Sequence, residues 1–373
     1  MKSIGTAILL ATPALAASVP AIAEAKTHAD HGMRLVSTAP GVAEWVTEDA
    51  KARFLANKTK FLDITESSQR QKAAKATSAK TVTYPSAPAK QDIVNPLLET
   101  LSLDNIRAHV DALGAFHNRY WKSESGAQAS QWIVDTAAEI TSSASYTEAS
   151  VAAYNHSFVQ NSVIAHIPGV SNGPLTIIGA HMDSANASDL MNGRAPGQDD
   201  NASGSANLLE IFRALLASEY APITPVEVMW YAGEEGGILG SQDIAARYAQ
   251  EGVEVQAVLN LDMTAYFRPG TEETVALITD YTDAGLTQFL RELIHEYLAI
   301  GWTNTECGYA CSDHTSWDSE GYPAAFPFEA VLGNDNPLIH GENDTIDIDG
   351  FSWEHSLEFT KLGLAYIIEL TSG

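Results

Sequence analysis

The chain has 373 residues, 45% hydrophobic and 18% charged, the proportions of an ordinary globular core and not of bulk disorder. Its formal net charge of −26 argues against nucleic acid as a partner, because a phosphate backbone is held by Lys and Arg. The length suits one large domain or two ordinary ones.

Residues 1–25 read as an export signal. Lys2 gives a short positive start, residues 4–17 are apolar, and Ala23-Glu24-Ala25 fits a small-x-small cleavage site. Pro13 and Pro20 interrupt a run too short to span a bilayer. No later stretch approaches that length. The expected mature protein is soluble, without a membrane partner, and secreted or periplasmic.

Residues 26–91 differ from the remainder of the chain, being rich in Lys, Ala, Ser and Thr, above all across 71–80. Residues 1–90 hold 12 Lys and Arg against 7 Asp and Glu, whereas residues 91–373 hold 9 against 40. A basic leader joined to a very acidic body suggests an intramolecular partner held partly by charge, a propeptide. A flexible linker is the plainer alternative.

From about residue 92 the apolar periodicity becomes regular. Helical spacing covers 95–113, 127–144, 205–218, 241–248, 287–300 and 351–370. Strand-like runs cover 152–159, 161–167, 175–180, 226–232, 255–261 and 275–278. Strands alternating with helices predict an α/β fold, a three-layer α/β/α doubly wound, mixed but mostly parallel sheet in a single domain over 92–373. Two cysteines, Cys307 and Cys311, in an exported chain read as a disulfide, with buried free thiols as the alternative. A separation this short would fix local shape more than global stability.

The chemistry is concentrated in residues 174–262. Three apolar runs there end in His, Asp or Glu, and parallel sheets place ligand-binding groups at the carboxyl ends of their strands. Singly, each candidate has a dull explanation: a core histidine, a helix cap, a solvated turn. The joint pattern is more specific. His181 and Asp183 share one face of a strand end, so the carboxylate can steer the imidazole. Asp199 lies on a glycine-bearing loop before a helix, Glu234 and Glu235 are adjacent, Asp262 follows an apolar strand, and His340 supplies a second imidazole. Two His, two Asp and one Glu make two three-ligand shells if one Asp bridges, leaving open positions as catalytic metal sites do.

The segments Gly-Ala-His-Met-Asp-Ser, Pro-Gly-Gln-Asp-Asp-Asn-Ala-Ser-Gly, Ala-Gly-Glu-Glu-Gly, Leu-Asn-Leu-Asp-Met-Thr and Ile-His resemble the M28 family of co-catalytic zinc aminopeptidases, most nearly its secreted bacterial leucyl members of the Vibrio/Aeromonas type. The likeness extends over nearly all of 92–373. It implies two Zn2+ per subunit, with Asp199 bridging, Glu235 and His340 completing one shell, and His181 and Asp262 the other. It further implies Glu234 as general base, Asp183 as orienter of His181, a Cys307–Cys311 disulfide beside the pocket, and Tyr309 facing the reaction centre. Family pocket positions fall on Met263, Ile278, Phe326, Phe328, Leu332 and Ile339, which favour Leu-like first residues of peptides with a free N-terminus. Leu332 and Asp335 depart from the aromatics usual at their positions, which leaves the detailed preference open. A monomer is the family default.

Three rival readings share the architecture. A glutaminyl cyclase would use one zinc, a dipeptidase or carboxypeptidase would hold a different terminus, and a non-catalytic binding domain would have lost ligands or the base.

Overall fold

Strand β1 (Met33–Ala39) reverses through Pro40-Gly41, with Gly41 at φ +75°, into β2 (Val42–Thr47). Thr47 then caps helix α1 (Glu48–Ala56), its hydroxyl accepting the Ala50 N–H. A short β3 (Leu62–Asp63) pairs antiparallel with β1, and α2 (Thr65–Gln69) comes next. The structure is a computed structural model and describes residues 28, 31–69, 82–144 and 148–373. The expected export signal over 1–25 and the Lys-Ala-rich stretch 71–80 lie outside the described residues. Within them, residues 31–69 of the basic leader form strands and helices that pack on the body. Its buried residues Val36, Leu55 and Phe61 pack with Tyr120, Trp121, Ala185 and Leu239 of the body, so the two parts share one apolar cluster.

The body begins with α3 (Gln91–Leu98), α4 (Leu103–Ala115) and α5 (Glu124–Ser143). A single helix is expected over 95–113, yet the chain breaks between α3 and α4. The Ser102 N–H donates to the Glu210 carboxylate at 2.7 Å instead of continuing a helical ladder, and the Ser102 hydroxyl caps the new helix by accepting from Asn105 N.

Next come β4 (Ser150–Tyr154), β5 (Ser162–Ile167), β6 (Leu175–His181), α6 (Gly204–Ala217), β7 (Val226–Tyr231), α7 (Leu239–Glu251) and β8 (Val255–Asn260). The chain then forms β9 (Thr274–Ile278), α8 (Ala284–Tyr297), β10 (Gly301–Thr305), α9 (His314–Ser319), β11 (Ala324–Ala325), β12 (Pro327–Phe328) and α10 (Trp353–Thr371). The main sheet runs β11-β8-β6-β7-β5-β4, parallel from β11 to β7 and antiparallel beyond. Strand β9 lies instead in a second sheet, β10-β9-β12.

Alternation along the central strands sorts the layers. Ile178, Ala180, Val226, Val228 and Trp230 face the cluster built on α4, α5, α6 and α10, while Ile177, Met229, Tyr231 and Val258 face α7 and α9. Every residue of β6 is buried, as expected for a strand covered on both sides. The predicted three-layer α/β/α fold is the one observed. No helix among the described residues is long and apolar enough to cross a membrane.

Candidate metal centre

Three neighbouring parallel strands deliver the site. His181 is the last residue of β6, Asp262 lies just past β8, and the Gly233–Gly237 turn carrying Glu234 and Glu235 lies just past β7. The loop before α6 and the loop before α10 add Asp200 and His340. His181 Nε2 lies 3.2 Å from Asp262 Oδ1 and 3.2 Å from Asp200 Oδ1. His340 Nε2 lies 3.3 Å from Asp200 Oδ2 and 3.3 Å from Glu235 Oε2. Two groups of potential metal ligands result, His181–Asp200–Asp262 and Asp200–Glu235–His340, with ligand atoms within 4.8 Å of one another in each.

The residue common to both groups corrects the expectation for Asp199. The Asp199 carboxylate turns away from the imidazoles and accepts from Ala265 N and Asn336 Nδ2, both at 3.1 Å. Burial pushes its carboxyl up to about 6, against hydrogen bonds from Glu329, Asn336 and Ala265. The reason lies in the backbone. Asp200 and Asn201 leave the helical region (φ/ψ −103/92° and −133/52°), so two adjacent aspartates are aimed in different directions. Asp344 holds that path, accepting the N–H groups of Asp199 and Asp200 at 3.3 and 3.1 Å.

Burial would raise Asp200, but His181 and His340 on either side hold its carboxyl well below the usual range. Burial pushes Glu235 well up, reinforced by the charges of Asp200 and Glu234. Both oxygens of Glu235 are buried without a hydrogen-bond partner. Unpartnered buried acceptors facing a second carboxylate and an imidazole are what a divalent cation satisfies, so the residues present fit a metal. Asp183 accepts the N–H groups of Glu234 and Glu235 at 3.0 and 3.2 Å and lies 3.5 Å from His181 Nδ1, so it holds the turn as well as the imidazole.

Several supporting residues escaped the sequence reading. Ser312 donates to Asp262 Oδ2 at 2.5 Å. Arg119, fully buried, donates to the carbonyls of Met182 and Gly197 at 2.8 Å each, as well as to those of Leu113 and Pro196. It thereby ties the end of β6 to the aspartate loop. A lone Arg beside Tyr120 and Trp121 was the signal for it, but its partners are backbone carbonyls that no spacing reveals.

Met263, Ile278, Cys307, Cys311, Phe326 and Phe328 form one buried cluster, with Ile339 packed against it. The Cys307–Cys311 disulfide is formed. Leu332, 42% exposed, lines the adjoining cavity of about 350 Å³ together with Glu234, Glu235, Ile339 and His340. Tyr309 is placed differently from the expectation. It packs against a cluster of Leu62 from the leader with Ile238 and Ala310, and its hydroxyl meets Ser37 Oγ at 3.0 Å.

The sequence profile of peptidase family M28 matches residues 162–366, more than half of the chain. The chain belongs to peptidase family M28. Among its relatives, leucine aminopeptidase 1 of Arthroderma otae is 40% identical over 370 residues, covering 96% of each chain. The LapA aminopeptidase of Legionella pneumophila superposes with a TM-score of 0.80 at 30% identity, covering 88% of this chain and 90% of its own. LapB from the same organism gives 0.78 at 29%, covering 94% and 98%. This M28 chain is therefore a metallo-aminopeptidase acting on peptides, as the resemblance implied.

Proposed function

We propose that this M28 chain is an exported di-zinc aminopeptidase that removes Leu-like apolar first residues from peptides with a free N-terminus. The observation that carries this reading is the pair of three-ligand groups sharing Asp200. His181 and Asp262 would hold one zinc, Glu235 and His340 the other, and Asp200 would lie between them. Bound zinc supplies a Lewis acid that polarises the scissile carbonyl and makes a water acidic enough to react at neutral pH.

The chain's own residues do the rest. Glu234 stands in the cavity beside Glu235, on a turn held by Asp183. Burial pushes its carboxyl well up, helped by the charges of Asp262 and Asp313 and opposed by His181. A carboxyl of raised pKa suits a group that takes a proton from water and passes it to the departing amine. Asp183 keeps His181 in one orientation, and Met263, Ile278, Phe326, Phe328, Leu332 and Ile339 offer the first side chain an apolar wall. Tyr309 would join the site once its bond to Ser37 is broken.

The leader is read as a propeptide that covers this site, since Leu55, Lys58, Thr59, Lys60 and Phe61 line the same cavity as Glu234, Glu235 and His340. With these residues forming part of its wall, the leader would narrow the way in for a peptide. The working enzyme would be a monomer after the leader is lost.

Leucine p-nitroanilide tested against its N-acetylated form, with and without a zinc chelator, decides the activity. Hydrolysis of the blocked substrate, or indifference to the chelator, would refute an aminopeptidase. A metal content of one per chain would favour the cyclase reading.

A further inference from the structure

The leader grips one particular part of the enzyme, the Gly233–Gly237 turn that carries Glu234 and Glu235. Lys51 is 2% exposed, and its Nζ donates to the Asp63 carboxylate and to the Gly236 carbonyl, each at 2.8 Å, with Glu48 2.9 Å away as an ion pair. The backbone of Asp63 completes the grip, its N–H donating to Gly237 O at 3.0 Å and its carbonyl accepting from Gln242 Nε2 at 3.3 Å. Arg34 Nε donates to the same Asp63 carboxylate oxygen as Lys51, Oδ2, at 2.7 Å.

The turn is shaped to receive this contact. Gly237 sits at φ +102°, and a Cβ there would stand 2.7 Å from the Asp63 nitrogen. A Cβ on Gly236 would strike the Trp121 ring. Trp121 in turn lies beneath two cations, with Lys51 Nζ 5.4 Å and Lys122 Nζ 4.6 Å from its ring centroid. An ammonium this buried is tolerated because a carboxylate and a carbonyl meet it, and removing one partner of such a pair is strongly destabilising.

We propose that Lys51 is a latch that keeps the leader seated on the Glu234–Glu235 turn, so that cutting the chain between Gln69 and Val82 does not by itself open the cavity. The severed leader then acts as a tightly held separate inhibitor, and activation requires destruction of the leader itself. The proposal rests on reading the leader as a cover.

The test begins with limited trypsin digestion of the full chain, for which Arg70, Lys72, Lys75 and Lys80 offer cleavage points. Fragments are identified by mass, leader retention by size exclusion, and activity with leucine p-nitroanilide. The nicked wild type should keep its leader and remain at least ten-fold less active than enzyme whose leader has been fully digested. Lys51→Met should lose the leader on nicking and reach full activity, while Lys51→Arg should behave as wild type. Equal activity of Lys51→Met and wild type after complete leader digestion shows that the body has folded; should Lys51→Met not accumulate, Asp63→Asn makes the same comparison. Prompt release of the wild-type leader, or a Lys51→Met leader that stays bound, overturns the latch. Full activity of the uncut wild type would instead refute the cover, with co-elution still deciding the latch.

Discussion

Replacing Asp200 by Asn and, separately, Asp199 by Asn separates two neighbouring carboxylates that the chain uses differently. Each oxygen of Asp200 serves one ligand group, Oδ1 at 3.2 Å from His181 and Oδ2 at 3.3 Å from His340. An amide at 200 keeps the shape but offers a single neutral acceptor, so at least one group falls to two anionic or imidazole ligands. Loss of a mere supporting partner costs metal affinity about 10–100-fold. Loss of a shared ligand should exceed the upper end, more than about 2.8 kcal/mol at roughly 1.4 kcal/mol per tenfold. Asp199→Asn removes no ligand atom. It disturbs the acceptor bonds to Ala265 and Asn336 and the contact with Glu329, at a cost of about 1–3 kcal/mol in stability. Zinc bound per chain after equilibration in a zinc buffer reads the first effect, and the unfolding midpoint in chelator reads the second. Asp200→Asn should lose one or both ions and nearly all turnover, and Asp199→Asn should keep both ions. The reverse pattern would restore Asp199 as the bridge and sink the assignment of Asp200.

Three further outcomes are expected. Glu234→Gln should retain its metal content and lose turnover by roughly 10²–10⁴-fold, so an active variant would remove Glu234 as the base. Arg119→Met should lower the unfolding midpoint by the equivalent of about 3–5 kcal/mol, because four carbonyls lose a buried donor and nearby carboxylates lose their cation; burial lowers this guanidinium only to about 10, so it is charged at neutral pH. The leader should also loosen in acid. Burial alone would raise Asp63, but Lys51 and Arg34 outweigh it and depress its carboxyl in the docked state. The docking energy from this group is therefore complete above the ordinary carboxylate pKa of about 4 and is lost as pH falls through the depressed value. Nicked enzyme passed over a sizing column at successive pH values should release its leader only at the acid end. Release on going from neutral to alkaline pH would contradict the sign.

The parts of the site that derive from strand topology were legible in the sequence. His181, Asp262 and Glu235 each stand just past an apolar run, and a parallel sheet aligns such ends without further information. The choice between Asp199 and Asp200 was not legible. It depends on a local departure from helical dihedrals and on Glu329, Asn336 and Asp344, which lie far along the chain and reach Asp199 or its backbone only in the fold. Charge set the leader apart from the body in the sequence but did not show how it packs, since Arg34 and Lys51 pair with Glu48, Asp63 and Glu66 of the same segment. Pro40-Gly41 between two short apolar stretches is a turn signal, yet short strands whose apolar neighbours belong to the body carry little periodicity of their own. The break between α3 and α4 was hidden for a similar reason, because Glu210 lies more than a hundred residues from Ser102.

The cluster that joins leader to body bears on the direction of the proposed activation. Val36, Leu55 and Phe61 find their apolar neighbours in Tyr120, Trp121 and Leu239, which belong to the enzyme. A segment as short as 31–69, whose apolar neighbours lie in the body, buries too little surface to hold its shape alone. On the reading of this segment as a propeptide, once detached it would be an unfolded peptide that any nearby protease could degrade, including the aminopeptidase it is proposed to cover. Under the proposed function, maturation would work as a ratchet: each escape would expose the inhibitor to destruction, and the sealed state would not be regained.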